Sequence, residues 1–432
     1  KDHMLQFYQW LMRALSPLLC NLLDKRVKAG KEDVGRLSER KGRTDKPRPK
    51  GVLYWVHAAS VGEAQSSKTL ISALLERDPE LHILATTGTL TSAKIMAKTL
   101  PPRAFHQFYP LDHPDWTNSF LDHWRPDAVF WMESELWPNM LGQIKARNIP
   151  ATLVNARLSP QSYKKWRYAR PVIKKLLASF NLILCQTDRD ENYFNDLGAP
   201  QTHVTDNLKY SAAPLGVDKE DLQKFNDATM NRPCWVYASS HKGEEELVAR
   251  THQILKRELP DLLSIIIPRH PERRDAIVED LKAYDLGVML RGEAHDLPSL
   301  DTDIYIADTL GELGLFYRAC PIAIIGRSFS DDGGGGHNPI EAAQLHCATL
   351  HGPNVQNLQD IFDEMNRAGA AKRLIDADKL ADEVLNLLQD ETALKVAQDR
   401  AVKFAADKAR VLPRVMAHID PILQRLDKGG AA

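Results

Sequence analysis

From Gly51 onward the chain alternates short apolar runs with amphipathic stretches, and it does so in two separate series. The first series puts strands at 52–58, 81–86, 128–132, 151–155, 182–186 and 203–206, with helices such as 63–76 and 90–100 between them. The second puts strands at 235–238, 263–267, 304–307, 322–325 and 348–351, and the chain is helical after Leu358. Apolar strands alternating with helices require a parallel sheet covered on both faces, because each crossover helix lands on a face of the sheet. A chain of 432 residues exceeds one ordinary core, so the two series predict two Rossmann-like α/β domains. The polar stretch 212–232 breaks the pattern and reads as a linker. The expected organisation is an N-terminal segment at 1–50, a first domain at 51–211, and a second domain at 233–432 that carries the C-terminal helices.

In an open parallel sheet, ligands bind beyond the carboxyl ends of the strands, and the unusual loops of this sequence fall there. In the first series they are S-V-G-E at 60–63, T-T-G-T at 86–89 and E-S-E-L-W-P-N at 133–139. In the second they are S-S-H-K-G-E at 239–244, P-R-H-P-E-R at 268–273, D-T-L-G-E at 308–312 and S-F-S-D-D-G-G-G-G-H-N-P-I-E-A-A-Q at 328–344. The run of glycines lets backbone turn sharply and approach a ligand. Asn338 reads as a helix N-cap and Pro339 as the first helical residue, leaving free amides that could seat a phosphate. Glu341 then either closes a capping box or accepts ribose hydroxyls. No G-x-G-x-x-G follows the first strand, and there is no G-x-x-x-x-G-K-[ST], G-x-S-x-G or H-E-x-x-H. Those absences argue against a dinucleotide cofactor, a P-loop ATPase, a serine hydrolase and a zincin, and leave group transfer from an activated nucleotide. Two domains facing each other would enclose a cleft with a nucleotide half and an acceptor half.

Formal charge is −1, but its distribution is uneven. Residues 24–50 hold 11 Lys/Arg against 5 Asp/Glu, and residues 157–175 hold 7 basic residues and no acidic one. Such surfaces meet something anionic, and no nucleic-acid partner is expected. Residues 5–23 read as one amphipathic helix with Phe7, Trp10, Leu11, Leu15, Leu18 and Leu22 on one face and Gln6, Gln9, Arg13 and Ser16 on the other. Arg13 and Pro17 near its middle argue against a spanning helix, whereas aromatics and a basic flank suit an interfacial one. Lys1, Asp2 and His3 precede Met4 and read as a tag remnant. The five cysteines show no metal-ligand spacing, and the three in or beside strands read as small buried hydrophobes of a reducing compartment.

Taken together, H-A-A-S-V-G-E ending at Glu63, T-T-G-T at 86–89, M-E-S-E-L-W-P-N ending at Asn139 and N-A-R-L-S from Asn155 resemble the 3-deoxy-D-manno-octulosonic acid (Kdo) transferases of lipopolysaccharide synthesis. N-L-K from Asn207, P-R-H-P-E-R from Pro268, G-E-L from Gly311 and G-G-H-N-P-I-E-A-A ending at Ala343 extend the resemblance through both domains in order. It implies a glycosyltransferase B-type fold, CMP-Kdo as donor, a lipid A precursor as acceptor, inversion at the anomeric centre and no cofactor or protein-bound metal. It also implies a location on the cytoplasmic face of the bacterial inner membrane, held peripherally or by the N-terminal helix. The family's proton acceptor maps to Glu63, and its transition-state helpers map to Glu133 and Lys209. Its CMP contacts map to Arg269, His270, Gly311, Glu312, Leu313, Asn338, Pro339, Ile340 and Glu341. Ser239 and Ser240 are further candidate donors to phosphate or carboxylate, in a loop that departs from the family at Lys242.

The residues alone keep other readings open. Ser60 and Glu63 also form an S-x-x-E capping box. Glu133 and Glu135 would point to opposite faces if their strand continued. Another nucleotide-sugar transferase or epimerase could use the same architecture, and so could a membrane-bound nucleotide-binding module without catalysis.

Overall fold

A computed structural model of the protein describes residues 3–211, 213–230, 232–330, 332–333 and 335–429. Part of the tag remnant, Ala212 and Asn231 of the expected linker, and Gly334 of the glycine run lie outside the described residues. The chain folds as two units, one of Lys1–Ala212 with Arg410–Ala432, the other of Ala213–Ala409.

The first unit is built on strands β1 (Leu53–His57), β2 (His82–Thr87), β3 (Ala104–Phe108), β4 (Ala128–Met132), β5 (Ala151–Ala156), β6 (Leu182–Cys185) and β7 (Thr202–Val204). They pair in parallel in the order β3-β2-β1-β4-β5-β6-β7. On β1, Leu53 and Trp55 enter one core with Trp124 and Trp131, while Tyr54 and Val56 enter the other with Phe130. This period-2 alternation into two buried layers is why the strand reads as one continuous apolar run.

The second unit repeats the architecture with β8 (Cys234–Ser240), β9 (Leu263–Pro268), β10 (Val288–Leu290), β11 (Ile304–Ile306), β12 (Ile322–Ile325), β13 (Ala348–His351) and β14 (Ala371–Arg373). Their order is β10-β11-β9-β8-β12-β13-β14, again all parallel. Sequence pattern does not reveal β3, β10 and β14, and each is an edge strand. An edge strand has one neighbour and less cover, so it can carry polar residues such as Lys372 and Arg373 instead of an apolar run.

The expected domain boundaries need two corrections. Residues 212–232 are not simply a linker: helix Lys219–Ala228 is capped by Asp218 and buries Phe225 against Tyr305 and Phe316 of the second unit. One aromatic anchor in a polar helix is too sparse a stripe to read as periodicity. Nor do all the C-terminal helices belong to the second domain. Helix Val411–Gly429 buries Val411, Val415, Ile419 and Leu423 in the first unit's core. There Arg77 pairs with Asp420 and Asp427 at 2.9 Å each, and Arg414 pairs with Asp206 at 2.7 Å.

At the N-terminus the single expected helix is two, His3–Ala14 and Ser16–Lys28, because Pro17 restarts the chain in the first turn of the second. Four of the eleven basic residues at 24–50 are committed to the fold. Arg26 and Arg40 pair with Glu32, Arg36 pairs with Glu39, and Arg48 pairs with Asp127. The run at 157–175 stays mostly exposed over helices Pro160–Tyr168 and Arg170–Leu177, although Arg170 pairs with Asp196 at 2.7 Å. All five cysteines are free thiols, and four of them are buried.

Candidate active site

β1 ends at His57, and Ala58-Ala59-Ser60 leads into helix Val61–Arg77. The Ser60 hydroxyl caps this helix by accepting the Glu63 N–H at 3.3 Å. The Glu63 carboxylate turns back and accepts from the Ala59 N–H at 2.8 Å and the Ser60 hydroxyl at 3.1 Å. Capping and chemistry are therefore compatible here: the bonds that close the helix end also fix the carboxylate's orientation. Glu63 is only 8% exposed. Burial pushes its carboxyl up to about 7; the Ala59 amide and Ser60 hydroxyl oppose the rise, and the nearby Glu133 and Glu135 charges add to it.

Glu133 follows β4 in the left-handed region, φ 59°, with its N–H on the Val154 carbonyl at 2.9 Å. The strand ends at Met132, so Glu133 and Glu135 do not alternate along a continuing strand as the sequence suggested. Burial raises the Glu133 carboxyl against the pull of Lys209 and Arg157. Glu135 instead accepts the Trp137 indole N–H at 3.0 Å and lies 3.8 Å from His57 Nε2. Burial works against its charge, but His57 and Trp137 outweigh it and hold the carboxyl below its ordinary value. Environment thus separates two carboxylates that the sequence could not tell apart.

Lys209 lies in the turn Leu208–Ser211, its Nζ 3.4 Å from the place a Cβ on Gly62 would occupy. An amide network holds this turn. The Asn155 side chain accepts the Leu208 N–H at 2.8 Å, and Asn207 joins Asn155 at 3.3 Å and Gln186 at 3.2 Å. The structure therefore gathers Glu63, Glu133 and Lys209 in one place. Beside them a cavity of about 430 Å³ is lined by His57, Ala59, Tyr109, Asp112, Glu135 and Trp137.

In the second unit the loops after β8, β9 and β12 converge. Gly326 is required where the ends of β8 and β12 meet, because a Cβ there would stand 2.2 Å from the Ser239 carbonyl oxygen. Glu244 pins the loops together by accepting the N–H groups of His241 at 2.9 Å, Arg327 at 2.8 Å and Phe329 at 3.0 Å. His241 Nε2 lies 3.0 Å from His337 Nε2, and the His270 ring meets His241 edge-on at 5.7 Å. Burial, with the neighbouring positive groups, takes His337 down to about 4 and lowers His241. His241 and His337 are thus held toward the neutral form; Arg273 pairs with Glu245 at 3.0 Å and Arg327 with Asp332 at 3.2 Å, and Arg269 adds positive charge that suits an anion.

Two expectations for this unit change. Ser240 is fully buried and its hydroxyl donates to Glu245 at 2.8 Å, so it serves the fold, whereas Ser239 is partly exposed with φ 61°. The helix behind the glycine run is only Ile340–Gln344, with Pro339 as its cap residue and not its first turn. Five residues carry little dipole, so a phosphate there would depend on loop amides and on the arginines. The Asn338 side chain accepts the Ile340 N–H at 3.0 Å. Glu341 is half-buried, with its carboxyl raised by burial and lowered by the Asn338 side chain, not by the cap amide a capping box would use. Gly311 has φ 84°, and Leu313 opens helix Leu313–Ala319. Glu312 is gripped by the Arg291 guanidinium at 2.8 and 2.9 Å. Among the described residues, Asp221, His295 and Glu312 form the one metal-type cluster, and Arg291 already places a cation between its carboxylates.

Residues 35–212 match the family described as 3-Deoxy-D-manno-octulosonic-acid transferase (kdotransferase). The chain is 34% identical over 415 residues to the 3-deoxy-D-manno-octulosonic acid transferase of Rickettsia bellii, covering 95% of this chain and 97% of that one. It belongs to the Kdo transferase family. The enzyme of the same name from Haemophilus influenzae is 31% identical over 430 residues, covering 97% and 99% of the two chains. In fold, the transferase resembles a putative UDP-N-acetylglucosamine 2-epimerase from Listeria monocytogenes, with a TM-score of 0.55 at 14% identity over 86% of this chain and 97% of that one. Two Rossmann-like units of the glycosyltransferase B type are thus shared with proteins of little sequence similarity.

Several residues of this transferase's site escape sequence reasoning. Asn155 and Asn207 stand in N-A-R-L-S and N-L-K, motifs that could have flagged them as the clamp on Lys209. His241, Glu244 and His337 stand in S-S-H-K-G-E and G-H-N. Gln186 and Arg291 stand in no motif at all.

Proposed function

We propose that this Kdo transferase moves Kdo from CMP-Kdo to a hydroxyl of a lipid A precursor with inversion, without a protein-bound metal. The observation that carries the reading is Glu63: a buried, oriented carboxylate with its pKa near 7, beside a second carboxylate and a lysine. A sugar hydroxyl is a poor nucleophile until its proton leaves as the new bond forms, which calls for a base of this kind. Glu63 accepts that proton, the hydroxyl oxygen bonds to the anomeric carbon, and CMP departs with the bonding pair. Lys209 offsets negative charge on the donor's carboxylate or on the departing phosphate, and Glu133 stabilises the electron-poor centre. On the donor side, Arg269, His270, Gly311, Glu312, Leu313 and Asn338–Glu341 are assigned to CMP, with Ser239 a further candidate.

The protein incubated with CMP-Kdo and a tetraacylated lipid A precursor is expected to give a product heavier by Kdo, with activity surviving EDTA. Turnover of UDP-sugars instead would move the chain to another nucleotide-sugar activity, and no turnover of any donor would leave a binding module.

The acceptor reading extends to an anionic membrane surface, on the cytoplasmic face of the inner membrane. Its support is the orientation of the N-terminal helices. Tyr8 bonds to Asp112, Arg13 to Asp115 and Ser16 to His113. Phe7, Trp10, Leu18 and Leu22 face outward, 47–63% exposed. Leu11, Leu15 and Leu19 are half-buried and Leu23 is buried, so the protein covers only part of the apolar surface of these helices. No helix among the described residues is long and apolar enough to cross a membrane. Substituting Phe7 and Trp10 by Ser is expected to weaken sedimentation with anionic vesicles, and added salt to weaken what remains. Unchanged binding after both treatments would sink the membrane reading.

A further inference from the structure

Arg40 lies in the 3-10 segment Val34–Lys41, outside every motif that carries the family resemblance. It is 3% exposed, and every bond of its guanidinium points inward. Nε and Nη2 donate to the two Glu32 oxygens at 2.9 and 3.2 Å, Nη1 to the Tyr109 carbonyl at 3.1 Å and Nη2 to the Gly88 carbonyl at 2.7 Å. Gly88 belongs to the T-T-G-T loop after β2. Its N–H donates to the Ala59 carbonyl at 3.3 Å, and a Cβ on it would stand 3.1 Å from that same oxygen. The Ala59 N–H is the group that donates to the Glu63 carboxylate at 2.8 Å. An unbroken series of hydrogen bonds therefore runs from Glu32 through Arg40, Gly88 and Ala59 to Glu63. A buried Arg–carboxylate pair can often be replaced by apolar residues without loss of stability, so stability alone does not account for two buried charges at this spot.

We propose that Arg40 is a positioning residue for the reaction: through Gly88 and Ala59 it fixes the amide that orients Glu63. The inference rests on the reading of Glu63 as general base. The Ala59 amide also lowers the carboxyl's pKa, so loosening it lets that value rise. The other charged groups around Glu63 are Glu133 and Glu135, with Lys209 over Gly62, and all of them stay in place in the variants below.

Arg40→Lys keeps the charge and loses the forked geometry. It is expected to lower kcat about 10- to 100-fold, the scale of a misplacement of about 1 Å, and to move the acid limb of the kcat–pH profile upward. Gly88→Ala crowds the Ala59 carbonyl directly without touching the arginine, and is expected to shift the limb the same way by less. Donor KM should not change in either variant. A role confined to holding the fold would lower thermal stability and active fraction while leaving the limb in place, and that outcome in folded Arg40→Lys would overturn the proposal. If Arg40→Lys does not fold, Gly88→Ala with a wild-type limb overturns it alone. Glu63→Gln separates the two levels. If that variant keeps its turnover, the general-base reading falls and this inference with it; if it is inactive while both positioning variants keep the wild-type profile, only this inference falls.

Discussion

Glu63→Gln is expected to reduce turnover about 10²–10⁴-fold while CMP affinity stays at its wild-type value. Gln keeps the length of the side chain, its amide oxygen can still accept from the Ala59 N–H, and its NH2 can donate to the Ser60 hydroxyl, so the helix end should survive. What disappears is basicity. The wild-type profile supplies a second reading of the same group. With the carboxyl at about 7, the competent base is the deprotonated form, so kcat should rise with pH through about 7 and level off above it. The direction follows from the environment: burial, with the Glu133 and Glu135 charges nearby, penalises the charged form more than the Ala59 and Ser60 hydrogen bonds favour it. CMP binding, measured by calorimetry, should be unaffected because the residues assigned to CMP belong to the second unit. Turnover within a few-fold of wild type in a folded Glu63→Gln protein would send the search for the base to Glu133 or Glu135.

The second large effect belongs to Arg291. Its side chain is 1% exposed and is bonded to Glu312 at 2.8 and 2.9 Å and to Asp221 at 3.3 Å, with Tyr305 at 3.2 Å. Arg291→Met keeps the apolar stem and removes the cation, leaving two carboxylates facing each other. Removing one partner of a buried charge group typically costs about 3–5 kcal/mol. His295, at 2.8 Å from Asp221, can offset part of that for Asp221 but lies 3.9 Å from Glu312, so Glu312 bears most of the loss. Denaturant unfolding should show the destabilisation, and CMP affinity should fall as well, because the Gly311–Leu313 loop loses its anchor. Adding Glu312→Gln removes the unpaired charge and should restore part of the stability without restoring the loop. If Arg291→Met unfolds at the wild-type denaturant concentration, the ion network is not what holds that loop.

The sequence by itself determined the two parallel sheets and the placement of the chemistry. Both follow from local composition. A strand buried on both faces must be apolar along most of its length, as 53–56 and 304–306 are. A loop at a strand's carboxyl end must carry whatever small, polar or charged residues its ligand needs, as 60–63 and 268–273 do. The same reasoning explains the elements that escaped. Edge strands β3, β10 and β14 need no continuous apolar run, and Lys219–Ala228 buries the single side chain of Phe225.

What only the tertiary structure decided are properties that depend on groups far apart in sequence. Glu133 and Glu135, two residues apart, end in different states because burial outweighs Lys209 and Arg157 at Glu133, whereas His57 and Trp137 outweigh burial at Glu135. The last helix, Val411–Gly429, joins the first unit because its apolar stripe matches Tyr54, Leu70 and Leu74 there, more than three hundred residues upstream. Most of the arginines after the N-terminal helices, which in sequence look like a patch for anionic lipid, are bound to Glu32, Glu39 and Asp127. Charge along a chain is countable residue by residue, but whether a charge is free is settled by which partner the fold brings within about 3 Å of it.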